Sequence, residues 1–368
     1  MARIHTIDLS ESIGHLPDIK PFDLSVMRLR AQSALLLCAL GFESRCLTIP
    51  RTLAESKWTT SRCIYFEFST NRDDNEANRA ELLSYLSVMS ERVEPMEADG
   101  EAFAASLRKA LRAVVDSSET PSPLVVFDMS VTSNRILMRA MKVLLEFDIQ
   151  LTLLYAEAAV YHPTLQEYKD AKSKLEARQS VWLDRGVSDV ETSQEYPGYH
   201  VDQLPDCVMV IPGFNRDRVR AVIHKIDPTL TRAAEHKLLW LVGIPHLSEN
   251  HWRIEMMREL HELTPEANQF EVSTFEYKET LRTLETFYQD RVNDFRFTIA
   301  PMGSKLQALG CSLFCYLHPD VRAMFSVPER YNAVNFSEGC RAMWEIEFKS
   351  LKESREKLDD VGLLKIAD

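Results

Sequence analysis

The sequence predicts an α/β protein made of two tandem Rossmann-like units with mostly parallel sheets, the product of an internal duplication. Three landmarks that recur at nearly one offset carry this prediction. Cys38-Ala39-Leu40-Gly41-Phe42-Glu43-Ser44-Arg45 ends an apolar run, and Val210-Ile211-Pro212-Gly213-Phe214-Asn215-Arg216 ends another, 172 residues on (41 to 213). Asp128-Met129-Ser130 follows apolar residues 124–127, and Pro301-Met302-Gly303-Ser304-Lys305 follows 297–300, 173 residues on (129 to 302). Leu154-Tyr155-Ala156-Glu157 with Tyr161 is answered by Met324-Phe325-Ser326 with Glu329 and Tyr331, 170 residues on (161 to 331).

Within residues 33–160, strands expected at 34–40, 63–68, 92–96, 123–127 and 150–155 alternate with helices at 47–56, 79–89, 101–115 and 134–147. Continuous apolar runs of this length suit strands buried on both faces. The segment 101–115 places Phe103, Leu107, Leu111 and Val114 on one helical face. Residues 206–328 repeat the order, with strands at 207–211, 237–242, 270–274, 295–300 and 321–325 and helices near 216–226, 250–263, 278–291 and 305–316. Strand–helix alternation implies parallel sheets with right-handed crossovers. Residues 1–32 read as an N-terminal extension broken by Pro17 and Pro21, with a short helix opening at 23–27. Residues 161–205 read as a charged helix (164–182) and a polar linker containing Pro197-Gly198. Residues 329–368 read as a helical tail, with a helix at 338–358.

Length and composition narrow the class. The 368 residues are too many for one ordinary core. Hydrophobic residues make up 45% and charged residues 27%, and no apolar run reaches the roughly 18 residues of a membrane span. The first residues lack the apolar core of a signal peptide, so a cytoplasmic protein is expected. A formal charge of −12 argues against nucleic acid as a partner. The seven cysteines fall mostly in apolar runs, as reduced core thiols do.

In open parallel sheets ligands bind at the carboxyl ends of strands. The residues that follow strands are therefore the candidates. After the first strand come Gly41, Phe42 and Arg45, with Gly213 and Arg216 as counterparts; a glycine turn into a helix start, beside a guanidinium, suits a phosphate or carboxylate. After the fourth strand, residues 128–135 gather an acid, three hydroxyls, an amide and a guanidinium. Ser130, Thr132, Ser133, Asn134 and Arg135 would contact a ligand, and Asp128 would hold a sugar hydroxyl or act as an acid/base group. The second copy supplies Gly303, Ser304 and Lys305, an anion-binding set without the acid. Glu157, after the fifth strand, is the second candidate for acid/base chemistry, with Glu43 behind it. The same serines, threonines and asparagines also make good helix caps.

Several motifs are missing. There is no G-x-G-x-x-G, P-loop, H-E-x-x-H or G-x-S-x-G. Cys311, Cys315 and His318 lack a zinc spacing, so no metal is assigned and no cofactor is named. In architecture alone, the paired post-strand Ser/Thr/Lys loops resemble bacterial nucleotide-sensing domains of antiviral systems. That resemblance implies a sensor or effector in a defence-type system. Three functions stay open on the residues. The first is binding of a phosphate-bearing small molecule, a nucleotide, at the post-strand loops. The second is a hydrolase or transferase acting on a nucleotide through Asp128 and Glu157. The third is a non-catalytic interaction module, with a protein partner or a second copy docking on the charged helix and the tail.

Overall fold

The computed structural model describes residues 10–29, 34–173, 183–199, 204–230, 237–265 and 267–362. The chain divides into two units. The first comprises Leu16–His162 with Ala333–Glu356; the second comprises Pro163–Asn332 with Met1–His15 and Lys357–Asp368.

The first unit holds strands β1 (Lys20–Pro21), β2 (Leu35–Ala39), β3 (Cys63–Glu67), β4 (Val93–Glu97), β5 (Leu124–Asp128), β6 (Gln150–Glu157) and β7 (Val160–Tyr161), and, from the far end of the chain, β16 (Ser337–Glu338) and β17 (Ala342–Phe348). Its sheet runs β1-β17-β6-β5-β2-β3-β4. Strands β2 to β6 are parallel, in the doubly wound order whose direction reverses between β2 and β5. β2 and β5 are buried at every residue, which explains the unbroken apolar runs 35–39 and 124–127.

The second unit holds β8 (Asp184–Arg185), β9 (Asp189–Thr192), β10 (Asp206–Ile211), β11 (Leu238–Ile244), β12 (Gln269–Ser273), β13 (Arg296–Pro301), β14 (Arg322–Val327) and β15 (Arg330–Tyr331). Its sheet runs β12-β11-β10-β13-β14-β9, the same doubly wound order, with the reversal between β10 and β13. The tandem Rossmann-like α/β architecture read from the repeat is therefore the architecture observed.

Each five-strand run is extended by an antiparallel strand that it does not itself contain. β17 pairs with β6 from Ala342↔Glu157 to Phe348↔Leu151. β9 pairs with β14 from Thr192↔Met324 to Asp189↔Val327. The short flanking pairs match as well: Ser337 lies opposite Tyr161, and Asp184 opposite Tyr331. The segment that follows the first five strands completes the second sheet, and the segment that follows the second five completes the first.

Three local expectations are corrected. The helix expected at 338–358 is strand β17 followed by a helix at Leu351–Gly362. Residues 342–348 alternate Ala-Met-Trp-Glu-Ile-Glu-Phe, and pairing with β6 settles the ambiguity in favour of a strand, burying Ile346 and Phe348. The linker expected at 186–205 contains β9, and the N-terminal extension contributes β1. The charged helix expected at 164–182 spans Leu165–Ser173, and 174–182 lie outside the described residues. No helix among the described residues is long and apolar enough to cross a membrane.

Phe348 is 1% exposed, so Phe348→Ala should lower the free energy of unfolding by about 3–5 kcal/mol. The exposed control Glu356→Ala should stay within about 0.5 kcal/mol. Urea titration measures both. A Phe348→Ala chain as stable as the control would mean that β17 does not close the first sheet.

Candidate functional site

The sheet of the first unit reverses between β2 and β5, and the loops after these two strands touch. A Cβ placed on Gly41 would lie 3.1 Å from Val131 Cγ2. The Gly41 carbonyl accepts from Asn78 Nδ2 at 2.8 Å and from the Cys46 thiol at 3.3 Å. Glycine here serves close approach of one loop to another.

Asp128 ends β5 and is 2% exposed. Its Oδ1 accepts the Ser130 amide at 3.0 Å and the Ser130 hydroxyl, and that hydroxyl accepts the Ala156 amide at 2.8 Å. Burial pushes the Asp128 carboxyl up to about 6, against the pull of both Ser130 bonds and of the Arg45 charge. Ser133 caps the helix Asn134–Leu144, its side chain accepting from the Ile136 amide at 3.3 Å. Thr132 is fully buried, and its Oγ1 has no hydrogen-bond partner. An unpaired buried hydroxyl costs stability and calls for an explanation such as a bound group.

The guanidinium groups read as ligand contacts are engaged internally. Arg45 is 4% exposed. It pairs with Glu43 at 2.6 Å and donates to Ser337 Oγ at 3.1 Å and to the Ala156 carbonyl at 2.8 Å. Burial works against its charge, but Glu43 together with Tyr161 and Tyr155 outweighs burial and raises its pKa. Arg135 pairs with Asp99, whose other oxygen accepts the Ser69 amide at 2.6 Å and hydroxyl at 2.8 Å. Phe42 packs edge-on against Phe336, with ring centroids 5.5 Å apart.

Asp128 and Glu157 do not converge. Asp128 continues the face of Leu124 and Val126, which share an apolar cluster with Leu154 and Ala156. Glu157 is one residue out of step with that face. It lies on the side of Tyr155 and Trp344, 3% exposed, and accepts from Trp344 Nε1 at 2.9 Å. The two carboxylates proposed as an acid/base pair thus point to opposite sides of the sheet.

In the second unit the loops after β10 and β13 meet at closer range. A Cβ on Gly213 would lie 2.6 Å from the Met302 carbonyl oxygen, and one on Gly303 would collide with Ile211 Cγ2 at 2.5 Å and with Gln307 Oε1. Ser304 and Gln307 form a reciprocal capping box at the start of the helix Lys305–Leu317. The Ser304 hydroxyl also donates to the Thr274 carbonyl at 2.5 Å. Gln307 is 1% exposed, and its Nε2 has no partner. Lys305, the first helical residue, is half-buried. Arg216 pairs with the exposed Glu262 at 2.8 Å. Its neighbour Arg218 repeats the part of Arg45, donating to Asp184 and, at 2.6 Å, to the Ser326 carbonyl. His261 Nε2–H donates to the Gly213 carbonyl at 2.8 Å. Burial pushes it down to about 4.

Sequence reasoning missed Asp99, Gln307, Ser337 and Asp184. Asp99 follows the third strand, whose loop carried no composition signal. Ser337 lies 292 residues from Arg45, where no local pattern connects them. Among the described residues, no group of three or more His, Cys, Asp or Glu side chains is arranged to hold a metal.

No family model and no curated protein matches the chain. Among the solved structures that align with it are two whose likeness is as follows. One is a type III CRISPR defence DNA nuclease activated by cyclic oligoadenylate, at 12% identity and a TM-score of 0.37, over 79% of this chain; the chain spans 65% of that nuclease. The other is the UDP-GlcNAc 2-epimerase of Neisseria meningitidis bound to UDP-GlcNAc, at 9% identity and a TM-score of 0.20, over 73% of this chain and 77% of the epimerase. Similarity this distant supplies no argument about function.

Two buried groups set opposite pH dependences. Asp128 prefers its neutral form in the folded chain, so stability falls as pH rises from about 4 through 6, by about 3 kcal/mol in the limit. Asp128→Asn keeps the acceptor for Ser130 and should flatten that limb in thermal melts across pH. An unchanged limb would exonerate Asp128. His261 also prefers its neutral form, so stability falls as pH drops from about 6.5 to about 4, again by about 3 kcal/mol in the limit. His261→Gln should remove this acid-side loss, and a variant that keeps it would locate the titration elsewhere.

Proposed function

We propose that the protein binds a phosphate-bearing small molecule, a nucleotide, at the post-strand loops of its switch points. One observation carries the reading. Both units bring the loops after their first and fourth strands into contact at the reversal of strand order, and the segment that follows the fourth strand carries a buried polar atom with no hydrogen-bond partner in each, Thr132 Oγ1 in the first unit and Gln307 Nε2 in the second. The anion would rest on helix N-terminal amides, with Lys305 at the helix start of the second unit. In the first unit, Asp128 and Thr132 would meet a hydroxyl-bearing part of the ligand. Binding without a convergent acid/base pair suits a sensor or effector, and the architectural resemblance to nucleotide-sensing domains makes a defence-type system the setting to test.

A buried Asp128 titrating near 6 favours one alternative, a hydrolase or transferase acting on a nucleotide with Asp128 as its acid/base group. Calorimetry against mononucleotides, dinucleotides and cyclic oligoadenylates tests binding. Lys305→Ala or Thr132→Val should weaken the affinity about 10- to 100-fold, the scale of a lost charge-assisted or buried hydrogen bond. Wild-type affinity in both variants would remove the proposed sites. Mass spectrometry of the same mixtures tests turnover: the enzyme reading requires a product that Asp128→Asn fails to form while still binding.

A further inference from the structure

The duplication provides an internal template for a surface that the ligand loops do not use. In the first unit, β17 is not the edge of the sheet. β1 pairs with it, Lys20 opposite Glu345 and Pro21 opposite Trp344, and the Phe22 amide donates to the Met343 carbonyl at 2.9 Å. The chain then turns into the helix Leu24–Leu29. Met27 is wholly buried in a cluster with Ile49 and Leu53 of the helix Thr48–Glu55, and Phe22, Leu24 and Met343 pack against that cluster.

Among the described residues, the second unit has the same components without the cover. Arg45 bonds the Ala156 carbonyl and Arg218 the Ser326 carbonyl, so Ala156 and Ser326 are equivalent. Met343 lies opposite Ala156 and Val190 opposite Ser326, so Val190 is the counterpart of Met343. The helix Arg216–Ile226 is the counterpart of Thr48–Glu55, each being the first helix after the first strand. Between β9 and this helix lies a groove of about 420 Å³ lined by Val187, Asp189, Val190, Ala221, His224 and Lys225. Among the described residues, no strand pairs with the outer edge of β9. A strand edge with no strand partner among the described residues, beside a recess where Val187, Val190 and Ala221 are rimmed by Asp189, His224 and Lys225, offers what an added peptide strand needs: main-chain bonds for affinity and a side-chain recess for selection.

We propose that the outer edge of β9 and its groove dock an extended segment of a partner protein, added as a further strand with an aromatic or methionine side chain in the groove, as residues 20–29 cover the first unit. The occupant has the chemistry of that segment: a strand with Lys-Pro-Phe character running into an amphipathic turn.

The probe is a synthetic peptide of residues 16–29 added to the intact protein. Saturable binding is expected in the micromolar to millimolar range (about 1 µM to 1 mM). Hydrogen exchange should slow in residues 187–192 and stay unchanged in 342–348. A peptide with Phe22 and Leu24 replaced by Ser should bind at least about tenfold more weakly. Ala221→Trp, which fills the groove, should weaken binding comparably with its melting temperature unchanged. The peptide variants keep the test valid if Ala221→Trp does not fold. Failure to saturate, protection only at 342–348, equal binding of the Ser-substituted peptide, or a concentration-dependent dimer protecting 187–192 without peptide would each overturn the proposal; the last would assign the groove to a second copy.

Discussion

The architecture depends on antiparallel strands that each five-strand run does not supply for itself. A doubly wound sheet that stopped at β6 or β14 would expose a long apolar edge, which is an aggregation hazard. β17 and β9 remove it, and an arginine, buried in the first unit and half-buried in the second, pins each arrangement. Arg45 joins the turn after β2 to the end of β6 and to Ser337 beside β17; Arg218 joins the helix after β10 to the end of β14 and to Asp184 beside β9. A buried guanidinium is tolerable only when its donors are used, and here carbonyl, hydroxyl and carboxylate acceptors share them. These arginines stand at the place in the loop where an anion-binding residue would be expected. They serve the strand exchange instead.

That substitution explains what the sequence could and could not reveal. The five parallel strands of each unit were legible because strands buried on both faces need unbroken apolar runs, as in 35–39, 124–127 and 207–211. The repeat was legible because Gly41 and Gly213, and the serines at the helix starts, answer local steric and capping demands. The exchanged strands were not. β17 carries Trp344, Glu345 and Glu347 among its apolar residues, a pattern that also suits a helix, and the residues that select a strand lie on β6, nearly two hundred positions earlier. β9, with Asp-Val-Glu-Thr, reads as polar linker until β14 is placed beside it.

The candidate site was legible in position more than in role. The post-strand loops do meet at the switch points, as topology requires. Individual side chains were misjudged where their partners come from distant sequence. Arg135 answers Asp99, and Glu157 answers the Trp344 indole on an exchanged strand. Conversely, Thr132 looked like one hydroxyl among several, and only its complete burial without a partner distinguishes it.

The second unit is also a control for the first. Met129 and Met302 follow equivalent strand ends, and their amides donate to the Leu154 and Ile211 carbonyls, each at 2.9 Å. The residue before Met129 is Asp128, and the residue before Met302 is Pro301, which is equally buried. One copy therefore closes its strand end with no charge at all, and its sheet still forms. The acid in the other copy is thus not demanded by the fold. It raises the free energy of the folded chain at neutral pH, because its burial outweighs the two Ser130 bonds and the nearby Arg45 charge. A cost that the sister unit avoids with a single residue change is the physical reason to look for ligand chemistry at Asp128 before any of the other buried ionisable groups.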